Sequence, residues 1–227
     1  CREFAHHFLK NKLTVGYIAL EESVQRTMQG ILGIELNKPL HLEDNIEDID
    51  ELKVAFDRLF GTEKLFLYDH FGSLDPDRLI EQIQYMATAE GVDVVILDHL
   101  TIVVSGLADV DERRAIDITC TKLRQVVEST GVALILVSHL RRPQGVSHEQ
   151  GQQVSTSDLR GSSAILQLSD LCISAERNQQ GDPGERSELQ LRVLKNRHTG
   201  MTGPIDKLLY DQNTGRLSIP MSTYFGS

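Results

Sequence analysis

Residues 94–100 read Val-Val-Ile-Leu-Asp-His-Leu, an unbroken apolar run that ends in an acidic side chain. A run of this kind is typical of a strand that is buried on both faces of a parallel sheet. Its one carboxylate, Asp98, then lies at the carboxyl end of the strand, where Mg²⁺ needs an oxygen ligand in nucleotide-binding α/β proteins. The stretch therefore favours a Walker B element. The alternative is an aspartate that only caps the next helix or satisfies a turn.

Two further strands follow the same pattern. Residues 132–137 form an apolar run that closes on Ser138-His139, and residues 14–20 precede Glu21 and a second acid. Between the strands at 94 and 132 lies a helical stretch with four apolar residues on one face: Ile116, Cys120, Leu123 and Val127. This order predicts a right-handed βαβ unit in one parallel sheet. The polar strand ends should therefore open onto one crevice, where an acid could polarise an attacking water.

Length and composition are consistent with one enzyme-sized domain. The chain has 227 residues, of which 40% are hydrophobic, so it can bury one substantial core. It contains neither an apolar run of membrane-spanning length nor a visible signal peptide. Its three cysteines are too few and too scattered for a disulfide framework or a metal cluster. We therefore expect a cytoplasmic protein that does not act at a membrane.

The net charge of −10 argues against a nucleic-acid partner only at first sight. The distribution of charge matters more, because Arg141-Arg142 and Lys195-Asn196-Arg197-His198 form basic clusters directly after predicted strands. A basic channel inside an acidic particle is one reading. An ordinary solvated loop at Arg141 and Arg142 is the other.

The remaining chain predicts an α/β fold with a β-rich carboxyl third. Helices are predicted at residues 2–10, 22–32, 49–60 and 77–89. Strands are predicted at residues 65–68, 171–175, 189–194, 205–210 and 216–219. The polar, glycine-containing stretch after Leu140, at residues 141–156, predicts a long exposed loop. The last four strands are expected to extend the parallel sheet.

Six motifs, in this order, resemble the helicase domain of DnaB-type hexameric replicative helicases. They are Leu20-Glu21-Glu22-Ser23, Ile96-Leu97-Asp98-His99, Val137-Ser138-His139-Leu140, Asp158-Leu159-Arg160-Gly161-Ser162, Glu176-Arg177-Asn178-Gln179-Gln180-Gly181-Asp182 and Lys195-Asn196-Arg197-His198-Thr199-Gly200. The chain is most similar to the fused primase-helicases of phages and their mitochondrial relative Twinkle. The resemblance runs from about Phe4 to about Tyr210. It implies a RecA-like P-loop NTPase core with a mostly parallel central sheet and a β-rich C-terminal extension.

The resemblance also implies catalytic roles. Glu21 matches the glutamate that orients or deprotonates the attacking water; the alternative is an acid that stabilises a helix amino terminus. Asp98 matches the aspartate that holds Mg²⁺. His139 matches a polar sensor of the γ-phosphate, or is a hydrogen-bonded histidine at a strand end. Arg197 matches the arginine finger that reaches the nucleotide of the neighbouring subunit.

Further positions match the nucleotide-binding and DNA-binding parts of the family. Lys195 would help to hold the phosphates, or is an exposed strand lysine. Arg177 and Tyr210 would sandwich the base, or pack at the surface. The DNA-contacting loops would be residues 104–113, residues 141–156 and the turn at residues 158–162. Their contact residues would be Arg141, Arg142, Arg160 and Gly161, with an internal pair of Arg160 to Asp158 or Asp170 as the alternative.

One family motif is missing, because none of the 17 glycines is followed by lysine and the phosphate-binding Walker A loop is therefore absent. We expect residues 1–227 to be a single RecA-like motor domain, incomplete at its N-terminus and truncated before that P-loop. Alone, it should bind nucleotide poorly and not unwind DNA.

The intact protein is expected to be a replicative helicase that uses Mg²⁺ with ATP or dTTP. It would act as a homo-hexamer on single-stranded DNA, with a replisome polymerase and primase as partners, in the cytoplasm of a phage-infected bacterial cell. Two alternatives are open. One is a RecA-like recombinase or clock-type ATPase, and the other is a non-catalytic ring or DNA-binding module.

Overall fold

The computed structural model describes residues 1–42, 49–105, 111–141, 147–159 and 163–220. Contacts within the chain cluster in two compact units, Cys1–His139 and Leu140–Ser227. Each unit is described by itself below. The expectation of a single domain stays a prediction.

The first unit is an α/β layer built on a parallel sheet. Its elements are α1 (Arg2–Lys10), β1 (Val15–Ala19), α2 (Val24–Leu36), α3 (Ile49–Phe60), β2 (Leu65–Leu67), α4 (Pro76–Thr88), β3 (Val94–Asp98), α5 (Leu100–Ser105), α6 (Glu112–Thr130) and β4 (Ala133–Leu136). The sheet order is β2-β1-β3-β4, and every pairing is parallel. The predicted parallel sheet is confirmed.

Helices cover both faces of the sheet, which is why β1 is buried throughout. On one face, Leu9 of α1 and Ile31 of α2 pack in a cluster with Tyr17 of β1. On the other face, Gly16 leaves room for α4, since a Cβ at this position would lie 3.0 Å from Sδ of Met86. The alternating contacts of β1 explain its nearly continuous apolar sequence.

Local capping sets where the helices begin. The helix predicted to start at residue 22 starts at Val24 instead, because the hydroxyl of Ser23 accepts a hydrogen bond from the amide of Arg26. At α6, the carboxylate of Asp111 accepts from the amide of Arg113, and the helix ends at Gly131 with φ 75°. This left-handed conformation favours glycine. Capping thus removes Glu21 and Glu22 from the helix that follows them.

The second unit contains an antiparallel sheet. Its elements are a 3₁₀ helix (Thr156–Asp158), α7 (Ser163–Leu168), β5 (Leu171–Glu176), α8 (Pro183–Ser187), β6 (Glu188–Asn196), β7 (Gly203–Asp211) and β8 (Arg216–Ser218). The four predicted strands are confirmed. The prediction that they extend the parallel sheet was wrong, because they pair with one another in the order β5-β6-β7-β8. Short connections between successive strands favour this antiparallel pairing.

Three short helices, α5, α7 and α8, were not predicted from the sequence. The predicted DNA loop at residues 104–113 begins within α5 and ends within α6, while its residues 106–110 lie outside the described part of the chain. None of the helices that the structure describes is long and apolar enough to cross a membrane.

Candidate active site at the carboxyl edge of the parallel sheet

Three adjacent strands bring Glu21, Asp98 and His139 to one edge of the parallel sheet. Ala19, two residues before Glu21, pairs with Asp98 across β1 and β3. Beyond the ladder, the amide of Leu20 donates to the carbonyl of Asp98 at 2.9 Å, and the amide of Val137 donates to the carbonyl of Leu97 at 3.0 Å. These bonds keep the strand ends in register. The sequence-predicted residues of this unit therefore lie together.

His99 belongs to the same cluster, although sequence reasoning did not single it out. Its ring is 4% exposed and stacks on His139, with centroids 3.8 Å apart and an interplanar angle of 26°. Its Nδ1 lies 2.9 Å from Oγ1 of Thr101. Its Nε2 lies 3.0 Å from Oε1 of Glu21, but without the alignment of a hydrogen bond. A polar residue directly after the acid that ends a buried strand was the available signal.

The two adjacent acids after β1 have different surroundings. The side chain of Glu21 is 59% exposed, whereas Glu22 is held by Arg2 at 2.5 Å and by the hydroxyl of Thr27 at 2.8 Å. The contact with His99, together with the charges of His99 and His139, holds the pKa of Glu21 below its ordinary value. Glu21 is therefore the ionised, water-accessible acid of the pair.

Asp98 fits a magnesium ligand by position and by charge. Burial raises the pKa of its carboxyl, and the nearby carboxylates of Glu22 and Glu21 raise it further. A divalent cation would offset this concentration of negative charge. Carboxylate oxygens at a strand end are the hard ligands that Mg²⁺ prefers. The residues present therefore fit a magnesium ion.

In the second unit, Lys195 and Arg197 both contact the end of α7. The ammonium of Lys195 donates to the carbonyls of Leu166, Gln167 and Ser169 at 2.5, 3.0 and 2.8 Å. Arg197 donates to the Gln167 carbonyl at 2.7 Å and pairs with Asp170 at 2.9 Å. Cations are favoured at the carbonyl end of a helix. Within this chain, both side chains thus have structural partners.

The two predicted base-contacting residues flank the same strand. Arg177 directly follows β5, and its Nε donates to the carbonyl of Arg186 at 2.6 Å. Tyr210 lies near the end of β7, where it pairs with Leu217 of β8. The register of β5, β6 and β7 places both at the end of the sheet where β6 begins. Two strand spacings separate them, about 10 Å.

Of the predicted DNA contacts, only Arg141 lies in the described part of the chain; Arg142, Arg160 and Gly161 lie outside it. Arg141 is exposed, and its amide donates to the carbonyl of Asp158 at 2.7 Å. A bridge between Leu140 and Leu159 continues this antiparallel contact. Arg141 therefore lies beside the start of the predicted turn at residues 158–162.

The comparisons with known proteins agree with one another. The family model for the DnaB-like helicase C terminal domain matches residues 2–218. A DNA helicase/primase of Enterobacteria phage T3 is 43% identical over 223 residues, which are 93% of this chain and 38% of that protein. The chain thus spans well under half the length of this curated relative.

Two solved structures resemble the fold. One is a helicase ATPase domain, with a TM-score of 0.78 at 16% identity, over 96% of this chain and 78% of that one. The other is a DnaB-like replicative helicase, solved in a study of its interactions with primase, with a TM-score of 0.74 at 16% identity, over 94% of this chain and 52% of that one. These likenesses confirm the predicted α/β, RecA-like core. Because the family model covers nearly all of its residues, the chain belongs to the DnaB-like helicase C-terminal domain family.

Proposed function

We propose that this chain is the motor domain of a replicative DNA helicase, which couples NTP hydrolysis between subunits to movement along single-stranded DNA and to duplex unwinding. The observation that carries the proposal is the meeting of Glu21, Asp98 and His139 at one sheet edge, in a member of this family. An acid, a magnesium ligand and a polar phosphate contact are the parts that phosphoryl transfer to water requires.

Glu21 accepts the proton of the attacking water or orients it. Its low pKa keeps the carboxylate ionised at neutral pH, and its exposure leaves it open to water. The substrate is a nucleoside triphosphate, ATP or dTTP. Mg²⁺ bound at Asp98 would neutralise charge on its phosphates.

His139 contacts the γ-phosphate and passes the loss of this group to the chain that follows β4. The chain after His139 leads directly to Arg141, the exposed basic residue beside the 158–162 turn. Arg141, Arg142, Arg160 and Gly161 contact the DNA backbone without reading its sequence, as a translocating motor requires. Arg177 and Tyr210 hold the base, which tolerates different nucleotides because stacking is unselective.

Arg197 supplies positive charge to the nucleotide of the next subunit in a homo-hexamer. Its side chain is 42% exposed in this chain and so accessible to a neighbour. A guanidinium in this role accelerates phosphoryl transfer by roughly 10³- to 10⁵-fold. Lys195, fully engaged at the end of α7, holds the strand that carries Arg197 rather than the phosphates.

Mixing subunits of the full-length protein tests the proposal. Glu21→Gln and Arg197→Ala should each reduce DNA-stimulated NTP hydrolysis by at least about 100-fold. Equal mixtures of the two variants should recover a measurable fraction, because some interfaces then combine an intact Glu21 with an intact Arg197. Glu81→Gln, which removes an exposed acid from α4, is the control.

Hydrolysis that persists in Glu21→Gln would refute the catalytic assignment. Mixtures that remain as inactive as the separate variants would refute a site built between subunits. Strand exchange without unwinding by the full-length protein would favour the recombinase alternative.

A further inference from the structure

We propose that Glu21, His99 and His139 form a binding site for a divalent transition-metal ion such as Zn²⁺, distinct in its ligands from the magnesium site at Asp98. One ligand atom from each of the three side chains lies within 4.8 Å of the others. Among the described residues, no other place brings three such groups together. Two imidazoles and a carboxylate are a ligand set that zinc accepts, with water in the fourth position.

His99 supplies the strongest evidence that the cluster is built for a cation. The ring is 4% exposed, and its Nε2 has no hydrogen-bond partner although it lies 3.0 Å from Oε1 of Glu21. A buried polar atom without a partner costs about 1–3 kcal/mol. A metal ion between Nε2 and Oε1 would satisfy both atoms. The position of the orphaned nitrogen, facing an acid, therefore indicates a cation.

Thr101 completes the arrangement around His99. Its hydroxyl lies 2.9 Å from Nδ1, so an Nδ1–H can donate to it while Nε2 presents its lone pair toward Glu21. Metal-binding histidines commonly donate their other N–H to an oxygen, which fixes both the tautomer and the ring orientation. Stacking against His139 restricts the ring further.

The separations require only a small adjustment. Ligand atoms around a tetrahedral zinc ion lie roughly 3.4 Å apart. The contact between His99 and Glu21 is already shorter, and the widest separation in the cluster is at most 4.8 Å. Glu21 is 59% exposed and free to rotate toward an ion, while His99 is held in place. The rigid member of the set thus defines the site.

The ligands also determine which ion binds. Magnesium prefers oxygen ligands and octahedral geometry, whereas imidazole nitrogens suit zinc, copper, nickel and cobalt. Zinc at this cluster would engage the carboxylate of Glu21. If the proposed function holds, zinc would therefore inhibit hydrolysis by withdrawing the group that handles the attacking water.

Titration of the metal-free chain with Zn²⁺, followed by calorimetry, tests the site without nucleotide or DNA. We expect one zinc ion per chain, retained in the presence of millimolar Mg²⁺. Glu21→Gln and His139→Gln should each weaken zinc binding by at least about 10-fold. Glu81→Gln and His198→Gln, which change an exposed acid and an exposed histidine elsewhere, should leave it unchanged.

Two further measurements protect the test against misfolding. Circular dichroism must show that each variant keeps its secondary structure, and Thr101→Val should weaken binding without removing a ligand. Co²⁺ should give the visible absorption of a four-coordinate site in the unmodified chain and lose it in His139→Gln. Absence of stoichiometric zinc binding, or equal binding by Glu21→Gln and Glu81→Gln, would overturn the proposal. Neither outcome depends on the helicase assignment.

Discussion

The imidazole rings of His99 and His139 stack at a centroid distance of 3.8 Å, although they follow two different strands. His99 is buried and His139 is exposed, so the stack joins the core of the first unit to its solvent-facing sheet edge. Any group that binds His139 thus contacts a ring whose partner is fixed by Thr101.

This stack separates the packing role of His139 from its chemical role. In the full-length protein, His139→Phe should retain the stack and the melting temperature but reduce NTP hydrolysis by about 100-fold, because phenylalanine offers no polar atom to a phosphate. His139→Gln should retain more hydrolysis than His139→Phe. Hydrolysis rates and thermal melting measure both effects. Full activity in His139→Phe would contradict a phosphate-sensing role.

A buried carboxylate joins three helices of the first unit. Glu35 of α2 is 6% exposed and contacts His6 at 2.8 Å, Lys10 at 3.2 Å and Arg58 of α3 at 3.3 Å. Glu35→Gln should lower the free energy of unfolding by about 1–2 kcal/mol, since the cations lose their shared partner. Glu128→Gln, which breaks an exposed pair within α6, should cost less than about 0.5 kcal/mol. Urea denaturation compares them.

The same carboxylate predicts a pH dependence of stability. Burial opposes ionisation of Glu35, but the hydrogen bonds from His6, Lys10 and Arg58 prevail and lower its pKa below the ordinary 4.5. A lowered pKa in the folded state stabilises the protein above the unfolded value, and this contribution is lost as the pH falls below about 4.5. Unfolding measured from pH 6 to pH 3 should therefore show a steeper loss for the unmodified chain than for Glu35→Gln. Parallel curves would exclude this linkage.

Lys195 provides a test between a structural and a phosphate-binding role. Lys195→Met removes the three hydrogen bonds to the end of α7 and should speed amide exchange there, with a loss of about 1–2 kcal/mol in the stability of the second unit. Hydrogen exchange followed by mass spectrometry localises the change. Lys207→Met, which breaks an exposed pair with Glu188, is the control. Unchanged exchange at α7 with weakened nucleotide binding would support the phosphate role instead.

Asp170 positions the proposed arginine finger. Asp170→Asn keeps the Gln167 carbonyl as a partner of Arg197 but removes the charged one, so hydrolysis by the full-length protein should fall about 10-fold. Arg197→Ala should cost about 10³-fold or more. Equal losses in the two variants, or no loss in Asp170→Asn, would contradict a positioning role for this acid.

Cys120 should report unfolding of the first unit. It is 5% exposed, and burial, with a smaller contribution from Asp117, raises the pKa of its thiol to about 12. In a background without the other two cysteines, a disulfide reagent at pH 8 should modify it at least about 100-fold more slowly than an exposed cysteine introduced as Gln84→Cys. Rapid labelling of Cys120 under native conditions would show that the core around α6 opens easily.

The sequence patterns predicted well those features that depend on local order. The runs ending at Asp98 and His139 predicted buried parallel strands, because continuous apolar sequence needs cover on both faces. Pairing of the last four strands was missed, since period-two patterns carry no information about which strand is the neighbour. The helix after Ser23 was placed two residues early, because a run of acids resembles a first turn until the cap is identified.

The candidate site shows the same division. Glu21, Asp98 and His139 were found because each stands where a strand ends. His99 was missed because its role depends on a ring contributed by another strand and on a hydroxyl two residues later. The partners of Lys195 and Arg197 at α7 were equally hidden, since they are backbone carbonyls of a helix that was not predicted.

The order β2-β1-β3-β4 has a consequence for the birth of this chain on the ribosome. Glu21 is synthesised long before His139, and parallel neighbours must await the crossover helices between them. A nascent polypeptide that has made only β1 and β3 holds its acids without the histidine of β4. Such an incomplete chain is chemically silent, so a translating ribosome never exposes a half-built engine that consumes triphosphate.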